Sequence, residues 1–120
     1  MSKATAEVVK VYAHSKKVCI IRKITREDGK SYLCGYVVIG KESPLYGKDM
    51  YKTSVYKTMY DVTYADKMPE LMGQYVVGTD FAGHGGTCIA AMESALERIV
   101  KQIKSREYYY EIKELNKDRA

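Results

Sequence analysis

The 120-residue sequence has no tryptophan, one phenylalanine, two prolines, three cysteines and two histidines. Each shortage excludes something. Cys19, Cys34 and Cys88 are odd in number, widely spaced and without a CxxC pair, so neither a disulfide framework nor a zinc site is indicated. No apolar run approaches the roughly 20 residues of a membrane helix, and the opening MSKATAEVV lacks the apolar core of a signal peptide. A reducing cytoplasm is the expected location. Neither an internal repeat nor a low-complexity stretch divides the chain.

What is present suits one compact domain spanning 1–120, with 46% apolar and 29% charged residues. The aromatic content is almost wholly tyrosine, with 12 residues. The net charge of +5 is lopsided: residues 1–60 carry 12 Lys/Arg against 5 Asp/Glu, a balance of +7, and residues 61–120 carry 8 against 10, a balance of −2. Two readings fit. The basic half faces an anionic partner, or it consists of solvated strands whose lysines resist sheet-to-sheet aggregation.

Val8, Val9, Val11 and Tyr12 form a β-branched run that stops at His14-Ser15-Lys16-Lys17. Val18 to Ile24 forms a second, so the two pair as a hairpin. Glu27-Asp28-Gly29-Lys30 supplies an Asp-Gly turn into a third strand, Tyr32 to Ile39. Gly40 to Asp49 reads as a loop, and Thr53 to Tyr64 fits one or two further strands. Ala65 to Gly73, with Met68-Pro69, reads as a second loop before a last short strand at Gln74–Val77. After it, Ile89, Met92, Ala95, Leu96, Ile99, Val100 and Ile103 recur at three and four, the spacing of an amphipathic helix covering one sheet face. The tail Tyr108-Tyr109-Tyr110-Glu111-Ile112 fits either an edge strand or further helix. The expected fold is α+β: an antiparallel sheet of about five strands packed by one long C-terminal helix.

The most informative stretch for chemistry is QYVVGTDFAGHGGT, Gln74 to Thr87, which runs from a strand through four glycines to a helix start. Helix-start amides without partners, approached through glycines, bind anions. The stretch matches neither GxxxxGK[ST] nor GxGxxG, so a nucleotide-hydrolysing loop and a Rossmann domain are unsupported. The competing reading is a sharp turn with Thr87 as the helix N-cap. Phe81 either stacks on a nucleobase or plugs the base of the loop. His84 has no nucleophile or acid partner visible in sequence, so catalysis is not indicated. Cys88 is either a thiol activated by the helix start or a small buried residue. Tyr46, Tyr51, Tyr56, Tyr60 and Tyr64, interleaved with Lys48, Lys52 and Lys57, fit a surface for single-stranded nucleic acid or an ordinary strand or subunit face.

CGYVVIGKESPLYGKDM (Cys34 to Met50) resembles a "GYV…P.YG.D" loop of small phage-encoded proteins, and QYVVGTDFAGHGGT resembles their "GFDCAH" strand end. Together they cover 31 of 120 residues. Gln74-Tyr75 stands where such proteins often carry tryptophan, and Gly83-His84-Gly85-Gly86 replaces a tighter turn. Layout and size also resemble the first family of Thoeris anti-defence proteins, phage sponges for cyclic ADP-ribose isomers. The resemblance implies a homo-oligomer in the infected cell that holds a small cyclic nucleotide uncleaved near subunit contacts, with cyclic oligonucleotides as further ligands. It needs no cofactor or metal. It carries Phe81 over as the base-stacking aromatic. With Phe81, the glycine loop supplies Gly83, His84, Gly85, Gly86 and Thr87 as candidate ligand residues. Arg26 and Arg106 join them on charge chemistry, because a guanidinium fork suits a diphosphate.

Overall fold

The computed structural model describes residues 4–48, 61–83 and 86–117. His84 and Gly85, and Tyr51, Tyr56 and Tyr60 with Lys52 and Lys57, lie outside the described residues, as does 53–60 of the stretch expected to hold extra strands. Five strands, β1 (Thr5–His14), β2 (Lys17–Thr25), β3 (Ser31–Val38), β4 (Tyr64–Met68) and β5 (Gln74–Asp80), form one antiparallel sheet in the order β1-β2-β3-β5-β4. Among the described residues a single α-helix, α1 (Ile89–Lys117), packs on one face. The fold is the expected α+β arrangement. Among the described residues no helix is long and apolar enough to cross a membrane.

The first three strands follow from local chemistry. Ser15 and Lys16 both take positive φ (48° and 66°), the requirement of a two-residue hairpin turn whose twist matches its strands. The Lys104 ammonium donates to the Ser15 carbonyl at 3.2 Å and ties that turn to α1. At the second turn Gly29 alone is left-handed (φ 84°), and the Asp28 carboxylate accepts the Lys30 amide at 2.9 Å.

One expectation is corrected and two open alternatives are decided. The stretch from Ala65 onward does not begin a loop, because Tyr64–Met68 is an edge strand paired with β5 over its whole length. The tyrosine-rich tail is helix, not strand: α1 runs 29 residues to Lys117. Thr87 is not the N-cap, since α1 begins at Ile89 and its first bond runs from the Met92 amide to the Cys88 carbonyl at 3.2 Å, which puts Cys88 in the capping position. Cys88 is exposed rather than buried.

The core lies between α1 and the sheet. Met92, Ala95, Leu96, Ile99, Val100 and Ile103 cover Cys19, Ile21, Leu33, Val37, Tyr75 and Val77. Each fully buried aliphatic side chain contributes roughly 1.5–3 kcal/mol. Close approach is possible because Gly35 has no side chain: a Cβ there would come within 2.5 Å of the Met92 sulfur. The opposite face carries a second cluster of Ile20, Cys34, Tyr36, Met68 and Val76. Within it the Arg22 guanidinium lies 5.1 Å over the Tyr36 ring centre and donates to the Tyr36 hydroxyl at 2.8 Å.

Candidate functional site

The glycine loop closes on β3. The Phe81 amide donates to the Leu33 carbonyl at 2.9 Å, the Leu33 amide to the Gly86 carbonyl at 2.9 Å, and the Gly86 amide to the Phe81 carbonyl at 3.4 Å. The Ala82 amide donates to the Asp80 carboxylate at 3.0 Å, which also accepts the Thr63 hydroxyl at 3.2 Å. Three loop amides are thus turned inward on protein acceptors, and a carboxylate sits where the strand opens into the loop. The Phe81 ring is half-buried and packs against the core under α1. Gly83 is exposed, Gly86 half-buried and Thr87 exposed.

Among the described residues the two arginines stand apart from this loop and from each other. Arg26 is exposed in the β2–β3 turn, where a shallow recess of about 390 Å³ is lined by Ala4, Arg26, Glu27 and Asp28, two acids against one base. Arg106 is half-buried on α1, 17 residues beyond Ile89, or about 25 Å along the axis at 1.5 Å per residue.

A recess at the other end of the sheet has the chemistry for an anion. It holds about 420 Å³ between the end of β3 and the β4–β5 turn, and its walls include Gly40, Lys41, Tyr46, Lys67, Gln74 and Tyr75. The antiparallel order β3-β5-β4 makes it, because the exit of β3, the exit of β4 and the entry of β5 meet at one edge. The turn between β4 and β5 is shaped by Pro69 opening a single 3₁₀ turn and by Met72 and Gly73 at φ 59° and 72°. Met72 is 87% exposed on the rim.

The wall formed by residues 40–48 is anchored. Leu45 is fully buried in the core, the Ser43 hydroxyl donates to the Glu107 carboxylate at 2.6 Å, and Lys17 reaches the same oxygen at 2.7 Å. The Tyr75 hydroxyl donates to the Lys48 carbonyl, and the Tyr46 and Tyr75 rings lie 5.4 Å apart at a 48° tilt. The Lys48 ammonium stands 4.8 Å over the Tyr110 ring. By contrast, among the described residues the Lys41 and Lys67 ammonium groups and the Gln74 side-chain amide have no partner. The Glu42 carboxylate lies against Gly40, where a Cβ would stand. Two cations, a tyrosine ring and an amide with donor and acceptor ends therefore converge on a space of small-molecule size.

Reading the sequence missed this set, since Lys41, Lys67 and Gln74 come from three separate segments. The one available signal was the Tyr46–Lys48 pair within the Tyr/Lys pattern. Comparison with known proteins gives no match: no family model fits the chain, and no curated protein or solved structure is similar to it.

Proposed function

We propose that the protein binds a small anionic nucleotide and releases it unchanged, with the Lys41–Lys67 recess as the site. In the form that the resemblance implies, the ligand is a cyclic ADP-ribose isomer and binding withholds an immune signal inside a phage-infected cell. The observation that carries the reading is the pair of ammonium groups, without partners among the described residues, beside a tyrosine ring in a recess of about 420 Å³, within the range of small-molecule sites. Ammonium groups take phosphate oxygens as point charges, the Tyr46 ring offers a base a face, and the Gln74 amide offers its edge a donor and an acceptor.

Two of the three thiols are buried in the sheet and offer no nucleophile to a ligand. Burial pushes the Cys19 and Cys34 thiols up from their ordinary value, with hydrogen bonds from Tyr12 and Tyr36 opposing it, so both stay protonated at neutral pH and are poor nucleophiles.

Calorimetric titration with a cyclic ADP-ribose isomer, ADP-ribose and ADP tests the reading. Lys41→Ala and Lys67→Ala should each weaken binding about tenfold, the loss of one charge-assisted contact of roughly 1.5 kcal/mol, and heating the complex should return intact ligand. No heat with any of the three, or wild-type affinity in the Lys41→Ala/Lys67→Ala double variant, overturns it. So does recovery of cleaved nucleotide alone. Tight binding of single-stranded nucleic acid that collapses with added salt would instead assign the basic half to a polyanion.

A further inference from the structure

The two edges of the sheet are built differently. β4 has five residues and exposes Asp66 and Lys67, the short, charged form with which an edge resists pairing with other chains. β1 has ten residues, pairs among the described residues with β2 alone, and is exposed over Thr5–Val11. Val8, Val9 and Val11 are 50%, 36% and 61% exposed, with Val18 of β2 beside them at 44%. α1 lies mainly over β2, β3 and β5 and reaches β1 through Glu93, and among the described residues nothing pairs with the outer edge of β1. A long apolar strand with a free row of backbone donors and acceptors is a template for another strand.

We propose that a second copy of this chain pairs with β1 across a two-fold axis, β1 antiparallel to β1, joining the two sheets into one. The bulge at Val9 sets the register. Residues opposite one another in an antiparallel pair share a sheet face. Glu7 and Lys10 stand opposite Lys23 and Ile21 and lie on the α1 side, while Ala6, Val8 and Val11 stand opposite Ile24, Arg22 and Ile20 and lie on the other. With Val9 outside the register, Val8 is flanked in the ladder by Glu7 and Lys10.

A two-fold axis at Val8 then puts Glu7 opposite the partner's Lys10, Ala6 opposite the partner's Val11, and Val8 opposite its own copy. Both charges meet their opposites, and apolar residues meet apolar ones. Moving the axis one position either way sets Glu7 on the partner's Glu7 or Lys10 on the partner's Lys10, and like charges directly opposite destabilise a strand pair. The same two residues thus favour one register and oppose its neighbours. The Lys10 ammonium also reaches Glu93 on α1 at 3.0 Å, which holds it on the α1 face of β1.

Light scattering and a cross-linking pair test the proposal. The wild-type protein should have twice the 13.6 kDa mass of one chain. Glu7→Lys sets an ammonium opposite the partner's Lys10 at both ends of the ladder and should weaken the dimer about tenfold, while the protomer should melt only slightly lower, because the same ammonium also stands opposite Lys23 of its own β2 at an exposed position. In a Cys88→Ser background, Val8→Cys should form a disulfide-linked dimer under mild oxidation and Val11→Cys should not, since only the residue at the axis faces its own copy. A monomer at high micromolar concentration overturns the proposal. So does a dimer that Glu7→Lys leaves intact, or that cross-links through Val11→Cys rather than Val8→Cys. Nucleotide titration of Glu7→Lys keeps this result separate from the Lys41–Lys67 reading, because the two sets of residues lie on different strands.

Discussion

Replacing Phe81 separates a packing role from a stacking role. Fully burying a phenylalanine and then truncating it to alanine costs roughly 3–5 kcal/mol. The Phe81 ring is only half-buried against the core, so Phe81→Ala should cost about 2 kcal/mol, a substantial part of the roughly 5–15 kcal/mol that holds a domain of this size. At about 4 °C per kcal/mol the melting temperature should fall by about 8 °C. Phe81→Leu keeps most of the apolar volume without an aromatic face and should cost less than about 1.5 kcal/mol. Urea unfolding followed by circular dichroism gives the stabilities, and calorimetry well below the melting transition gives the nucleotide affinities. Both variants should bind as the wild type does, because the recess lies at the opposite end of β3 and β5. The reasoning fails if Phe81→Leu is stable and yet loses tenfold or more in affinity. That result would make the ring a stacking surface and move the site to the glycine loop.

The other predictions concern the sheet. Burial pushes the Tyr36 hydroxyl up to about 12, against the opposing hydrogen bond from Arg22, whereas an unfolded tyrosine titrates near 10. The folded state therefore holds this proton longer. Its contribution is whole below about pH 10 and is lost as pH rises through about 12, on the order of 2 kcal/mol, which urea unfolding from pH 9 to 12 beside the absorbance of tyrosinate would show. Tyr36→Phe should reduce that slope, with the remainder coming from Tyr12 and Tyr64, whose hydroxyls burial also raises, and an unchanged slope would refute the assignment. Gly78→Ala should destabilise the protein by roughly 1–3 kcal/mol, because the new Cβ would stand 2.6 Å from the Gly35 carbonyl oxygen, backbone that cannot rotate away. Thermal melting within a degree of wild type would show that β3 and β5 separate more easily than their packing implies.

The elements legible in the sequence are those whose cause is local. Both hairpins among β1, β2 and β3 are set by residues at their own turns, and the first half of α1 by an apolar repeat that ends at Ile103. β4 was not legible, because Asp66, Lys67 and the Met68-Pro69 pair read as a loop on their own. It is a strand because Val76 and Val77 of β5 are fully buried and their backbone needs a partner on that side. The end of α1 was ambiguous for the same reason. Tyr110 packs inward beneath Lys48, while Tyr108 and Tyr109 are exposed, so the run of three tyrosines has no strand-like alternation to reveal.

The two candidate sites differ in how far a continuous motif can report them. Glycines that look like a ligand loop need amides free to donate, and here the Phe81, Ala82 and Gly86 amides are turned onto Leu33, Asp80 and Phe81 acceptors. Basic residues that look alike in the sequence are sorted only by their partners. Lys10, Lys17 and Arg98 meet Glu93, Glu107 and Asp61, and Lys48 covers the Tyr110 ring. Lys41 and Lys67, 26 positions apart in the chain, reach one recess without partners among the described residues. No spacing rule connects them. The connection is the strand order, which sets β5 between β3 and β4 and so carries the two lysines to the same end of the sheet. Function read from this chain therefore depends on topology first and on residue type second.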